Sequence, residues 1–128
     1  MAFTHDSKSD PLKAEFDSDE LLDRIEGDRT LFMDIVKIFL EDTPGLISAL
    51  EAGVKSENAD VVEKTAHAIK GSCAMISAKR LETLTHKLES MGRKGDLIGS
   101  YDLYQEVIQS FEGLKQVMAS FLINNGPG

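Results

Sequence analysis

A histidine, a lysine and a glycine share one helical strip in the stretch Ala66-His67-Ala68-Ile69-Lys70-Gly71-Ser72. At about 100° per residue, His67, Lys70 and Gly71 lie roughly one turn apart. The neighbouring strip, Val62, Ala66, Ile69, Cys73 and Ile76, is apolar at spacings of four, three, four and three. Such a strip faces a core and turns His67 towards solvent. Imidazole offers an uncharged nitrogen in quantity at neutral pH, so an exposed histidine can act as a nucleophile. Lys70 can set a mobile point charge against phosphate oxygens. Gly71 removes a side chain where a partner surface would approach, and Ser72 and Ala74 keep the surroundings small. A glycine inside a helix costs about 0.5–1 kcal/mol relative to alanine, and close approach is a reason to accept that cost. The set suits taking and giving a phosphoryl group.

The other titratable candidates are weaker. His86 lies on the polar side of its helix between Leu84 and Leu88 and reads as a surface residue. A two-histidine metal or haem site is disfavoured, because no carboxylate–histidine pattern or Cys-x-x-Cys-His accompanies it. His5 lies in a polar lead-in. Cys73 is the only cysteine, which excludes an internal disulfide or a multi-cysteine zinc site, and its apolar strip makes it a small core residue.

These groups must be positioned by a single domain of 128 residues, large enough for a real core. No apolar run approaches the roughly 18–20 residues needed to cross a bilayer. The polar start, Met1 to Asp10, is not a signal peptide. A reducing cytoplasm is the expected compartment. Charge is unevenly spread: Val61 to Gly95 holds seven Lys/Arg against three Glu, a balance of +4, leaving −12 on the rest of a chain whose net charge is −8. An acidic chain with one basic patch argues against nucleic acid and suits a phosphate group or an acidic protein surface.

Residues 1–16, with Pro11 and no apolar period, read as a flexible lead-in or linker. Asp17-Ser18-Asp19-Glu20 has a helix-start composition, and a short helix should reach about Ile25 and stop at Gly27. Asp28 can cap the next helix, with Leu31, Phe32, Ile35, Ile38 and Phe39 on one face. Pro44 predicts a kink in it, because the period resumes with Leu46, Ile47, Leu50 and Val54. After a polar turn at Ser56-Glu57-Asn58, the histidine helix should run from about Ala59 to Met75, with Ser77 marking a tight break. The following helix carries Leu81, Leu84, Leu88 and Met91 and ends between Gly92 and Gly95. Asp96 can cap a last helix with Tyr101, Tyr104, Ile108, Phe111, Leu114, Met118 and Phe121 on its stripe, and residues 124–128 read as a frayed tail. The pattern implies an all-α fold over residues 17–123: an antiparallel four-helix bundle with a short N-terminal capping helix and a Pro-kinked second helix.

The stretch Ala66-His67-Ala68-Ile69-Lys70-Gly71-Ser72-Cys73-Ala74 resembles the signature of histidine-containing phosphotransfer (HPt) domains. The likeness extends to Phe39-Leu40-Glu41-Asp42-Thr43-Pro44 upstream, and through Ala78, Leu81, Leu88-Glu89 and Arg93-Lys94-Gly95. It thus covers most of residues 17–122. The resemblance implies that His67 accepts a phosphoryl group from the aspartate of a response-regulator receiver domain and passes it to another receiver in a multistep phosphorelay. It implies that Lys70 steadies the phosphoryl oxygens and that Gly71, with Ser72 and Ala74, admits the receiver. A hybrid sensor histidine kinase is a further expected partner, and a monomer is expected. No kinase activity and no cofactor are implied for this chain, Mg2+ being expected only on the partner receiver. The docking surface should be the His67 face, flanked by Lys79, Arg80, Lys87 and Arg93 on the following helix.

Two departures from the family pattern stand out. Ser77 occupies the turn where the family commonly has glycine. Where some members place a glutamine to hydrogen-bond the histidine, this chain offers Glu89, with Arg93 one turn later. Glu89 facing a phosphohistidine would be repulsive unless Arg93 neutralised it, so both receive a supporting role. The rival readings are a dimerisation fragment of a histidine kinase, a helical scaffold that docks partners without phosphotransfer, and a metal-binding bundle.

Overall fold

The computed structural model describes residues 15–125, so the first fourteen residues, including His5, and the last three lie outside it. Five helices account for it: α1 (Ser18–Arg24), α2 (Arg29–Lys55), α3 (Ala59–Ile76), α4 (Lys79–Lys94) and α5 (Ser100–Asn125). Among the described residues there is no strand. The chain is all-α. Helices α2 to α5 pack as a ring in which α2 touches α3, α3 touches α4, α4 touches α5, and α5 returns to α2. Short connections between packed neighbours make this an up-down bundle, and α1 lies across α2 and α3.

Side-chain caps set the helix starts. The carboxylate of Asp17 accepts the backbone N–H of Glu20, that of Asp28 accepts Leu31, and the Asn58 side-chain oxygen accepts Val61, each at 3.0–3.2 Å. These are N-cap bonds worth about 1 kcal/mol apiece. Helix α2 runs without interruption through Pro44, although proline cannot donate to the carbonyl one turn back. The strip of α3 anticipated from periodicity is fully enclosed: Val62, Ala66, Ile69, Cys73 and Ile76 are all buried. Burial pushes the Cys73 thiol far above its ordinary pKa, which keeps it out of thiolate chemistry.

Ser77 ends α3 in the left-handed region (φ 65°, ψ 40°). A non-glycine residue is disfavoured there by about 1–2 kcal/mol, and local bonds offset that cost. Its hydroxyl donates to Glu20 Oε1 at 2.5 Å and accepts from Arg24 Nη2 at 3.0 Å. Arg24 also donates to the carbonyls of Ala74 and Met75, satisfying the open end of α3. The short helix α1 is therefore the clamp on the C-terminus of the histidine helix.

Four sequence expectations shift. On α2 the buried face is Phe32, Met33, Val36, Phe39 and Thr43, whereas Leu31 and Ile38 are exposed. The apolar residues of that helix span more than half its circumference, and packing against α3 and α5 chose the other edge. The packed unit also begins earlier than Asp17. Phe16 is buried in an aromatic cluster with Phe32 and Phe121, while Glu15 pairs with Arg80 and accepts from Ser110. Asp96 does not cap the last helix; it accepts the N–H of Ile98 in the turn before it. Helix α5 continues through Asn125 and buries Tyr104, Val107, Phe111, Leu114 and Met118, leaving Tyr101 exposed.

Gly92 explains how closely α3 and α4 pack. A Cβ there would sit 2.6 Å from the backbone nitrogen of Glu63 and 2.7 Å from the Ala59 carbonyl oxygen. Backbone cannot yield as a side chain can, so Gly92→Ala should destabilise the fold by about 1–3 kcal/mol, read from the denaturation midpoint. An unchanged midpoint would show that the two helices separate freely.

Candidate functional site

His67 stands on the outer ridge of α3 with 67% of its side chain exposed. The residue beneath it is Glu89 of α4, only 3% exposed. His67 Nδ1 lies 2.6 Å from Glu89 Oε2. The same oxygen accepts Arg93 Nη2 at 3.0 Å, and Arg93 Nε reaches Glu63 at 3.3 Å. On the other oxygen, Lys70 Nζ stands 2.5 Å from Oε1. That approach is off the hydrogen-bonding direction, so buried Oε1 is held by charge and has no aligned donor. His86, one turn before Glu89 on α4, places its Nδ1 3.8 Å from the same Oε1.

The carboxylate's state fixes the histidine's tautomer. The Lys70 ammonium, aided by the His67 contact and opposed by burial, holds the Glu89 carboxyl below the usual carboxylate range. An ionised carboxylate can only accept, so His67 Nδ1 carries the hydrogen, and in the neutral ring the lone pair is then on Nε2. The nitrogen with the lone pair is the one away from Glu89. A histidine with an orienting carboxylate behind it has the arrangement that nucleophilic chemistry asks for.

Because the Glu89 pKa is lower in the folded state, its contribution to stability is fully present above the unfolded value of about 4.3. It is lost as pH falls through the lowered folded value. The melting temperature of the wild type should therefore exceed that of Glu89→Gln at pH 7, and the gap should close progressively below about pH 5. A gap that stays constant down to acid would show that Glu89 is not held ionised by its cations.

Gly71 faces open space, since a Cβ there would meet nothing within 4 Å. No internal packing asks for glycine at that position. Ser72 lies at the edge of a shallow apolar groove between α2 and α3, whose walls include Ile35, Ile38, Phe39 and Met75. Ala74 is exposed on the same ridge. The cations flanking the site divide into two groups. Arg93 belongs to the Glu89 cluster, and Lys87 is exposed two residues before Glu89, on the other side of α4. Lys79 and Arg80 sit about 14–15 Å back along α4 at 1.5 Å per residue, paired with Glu20 and Glu15 respectively. They fasten the N-terminal segment to α4 and do not surround His67.

Sequence reasoning gave Glu89 a supporting role and read His86 as surface. The structure puts Glu89 directly beneath His67, while His86 is at the surface as expected, with its Nδ1 3.8 Å from Glu89 Oε1. A signal for Glu89 exists on α4, where Leu81, Thr85, Leu88 and Gly92 form one buried arc and Glu89 falls at its edge. Nothing local marks His86. Among the described residues, no group of three or more His, Cys, Asp or Glu is arranged to hold a metal ion.

The family model that matches this chain is that of the Hpt domain, over residues 34–117. The chain belongs to the Hpt domain family. That stretch contains His67, Lys70, Gly71 and Glu89 and most of α2 to α5. A solved structure similar to this Hpt domain is histidine-containing phosphotransfer protein B (HptB) from Pseudomonas aeruginosa PAO1. The two superpose with a TM-score of 0.77 at 21% identity, over 83% of this chain and 92% of that one, and so share the fold. Comparison with curated proteins gives no match. Membership gives the chain a phosphotransfer role in two-component relays. Hpt domains are phosphocarriers rather than catalysts, and they interact with receiver domains of response regulators and with kinases. No described helix of this one is long and apolar enough to cross a membrane.

Proposed function

We propose that this Hpt domain is the middle carrier of a multistep phosphorelay, with His67 taking a phosphoryl group from one receiver's aspartyl phosphate and delivering it to another's aspartate. The observation that carries this reading is the His67–Glu89 contact of 2.6 Å beneath an exposed ring. It presents Nε2 outward with its lone pair free.

The step balances without moving a proton. Nε2 attacks phosphorus and forms the N–P bond, while the bond from phosphorus to the aspartyl oxygen breaks and the carboxylate leaves with the electron pair. The imidazole keeps its Nδ1 hydrogen and takes on positive charge. Glu89 faces that charge from behind the ring, on the side away from the phosphoryl group. The concern that an acidic residue would repel phosphohistidine therefore does not apply to this geometry: Glu89 stabilises the imidazolium, as the orienting carboxylate of a nucleophile–base set does. Delivery is the reverse step with a second aspartate as nucleophile. Any divalent cation belongs to the receiver.

Docking has to be transient, because one receiver must leave before the next arrives. The open backbone at Gly71 lets a partner approach closely, and exposed Ile38 and Met75 supply apolar contact in the adjoining groove. The test is phosphoryl transfer from phosphorylated receiver domains to this chain. The expected product is an acid-labile, base-stable phosphoramidate, with light scattering reporting a monomer. Absence of label from every receiver offered would leave a docking scaffold, and an obligate dimer would favour a kinase dimerisation fragment.

A further inference from the structure

The resting site holds Lys70 in the wrong place for its expected task. Its ammonium lies on Glu89 Oε1, and only 26% of its side chain is exposed. To reach phosphoryl oxygens on His67 Nε2 it must leave that oxygen. Doing so would strip a buried carboxylate oxygen that already lacks an aligned donor, and such an orphaned acceptor is costly. Arg93 and His67 are already engaged on the other oxygen, Oε2. A further group facing Oε1 is His86, whose Nδ1 stands 3.8 Å from it. Its ring is 61% exposed and borders an open groove with Lys87, Ser90 and Asp96, so it has room to turn.

We propose that His86 is a positioning residue that takes over Glu89 Oε1 when Lys70 swings to the phosphoryl group. Closing from 3.8 Å to hydrogen-bonding distance needs only a side-chain rotation on the same helix turn. The hand-off keeps a cation or a donor beside each Glu89 oxygen throughout, so Glu89 stays fixed behind His67 while Lys70 changes sides. Lys70 is then a shuttle between two anions, and His86 is what lets it go. The inference rests on His67 being the phosphoacceptor, and it does not depend on which receiver supplies the phosphoryl group.

That independence shapes the experiment. Small-molecule phosphoramidate phosphorylates histidine without a receiver: Nε2 bonds to phosphorus, the donor's P–N bond breaks and ammonia leaves. The wild type, His86→Ala and His86→Gln are treated in parallel, with ring 15N and 1H resonances of His86 followed before and after. Phosphorylation of His67 should shift the His86 ring to the Nδ1–H tautomer with a hydrogen-bonded proton. His86→Ala should be phosphorylated roughly three- to tenfold more slowly, the worth of one net hydrogen bond. His86→Gln, whose amide can donate to Oε1, should recover most of the rate. His86 resonances that stay still while His67 is phosphorylated would overturn the hand-off. So would a wild-type rate in His86→Ala, or a loss that glutamine fails to rescue. Labelling of His67 by phosphoramidate with no exchange to any receiver would instead sink the relay reading and leave the hand-off tested. Failure of His67 to label at all would remove both.

Discussion

Replacing His67 by alanine should abolish phosphoryl acceptance and leave stability within about 1 kcal/mol of the wild type. The ring is on the exposed ridge of α3, opposite the enclosed strip of Val62, Ala66, Ile69 and Cys73. Nothing in the core is vacated by its removal. Alanine is the best helix former, so the backbone gains slightly. The loss is one hydrogen bond to Glu89, whose carboxylate keeps Arg93 on Oε2 and Lys70 beside Oε1. Among the described residues the other histidine, His86, approaches the opposite oxygen of Glu89 at 3.8 Å and lacks the 2.6 Å carboxylate contact of His67. The measurement is acid-labile label from a phosphorylated receiver beside a thermal melt. Full label in a folded His67→Ala protein would end the assignment.

The second large effect is at Glu89. Glu89→Gln should lower the rate of phosphoryl acceptance roughly 10–100-fold, by analogy with the loss when the carboxylate behind a metal-ligating imidazole is removed. Two losses combine. The amide carries no charge to stabilise the imidazolium that forms as Nε2 bonds to phosphorus. It can also turn its NH2 towards Nδ1, which selects the tautomer with hydrogen on Nε2 and removes the lone pair that attacks. Lys70 and Arg93 lose their shared anion at the same time. The loss should appear in the maximal rate at saturating phosphorylated receiver more than in the concentration needed to saturate, since Glu89 is buried beneath the surface a receiver touches. Ring 15N resonances of His67 should show the tautomer change directly. A variant with the wild-type rate and tautomer would reduce Glu89 to a packing residue.

The residues themselves show how far a sequence can be read. The strip Val62, Ala66, Ile69, Cys73 and Ile76 emerged from spacing alone, because helical periodicity is a local property and α3 is packed on one side. The same reasoning misplaced the face of α2, where Leu31 and Ile38 look like core but are exposed. Apolar residues surround too much of that helix for periodicity to choose an edge, and contact with α3 and α5 made the choice. Phe16 was hidden for a different reason. A single aromatic after a polar lead-in has no period, and only the meeting of α2 and α5 creates the slot between Phe32 and Phe121 that it fills. Ser77 was legible as a break, but the bonds that offset its left-handed backbone come from Glu20 and Arg24, more than fifty residues away.

By itself the sequence determined that a histidine faces outward on a helix of a four-helix bundle, beside a glycine that keeps the surface bare. Those are consequences of spacing within about two turns. What stands behind the histidine was decided only by tertiary structure. The register of α4 against α3, set where Gly92 lets the backbones close on Glu63 and Ala59, places Glu89 under His67 and brings Lys70, His86 and Arg93 to the same carboxylate. A one-residue slip would rotate Glu89 away from Nδ1, and no local pattern in either helix carries that register. It follows from how two surfaces fit.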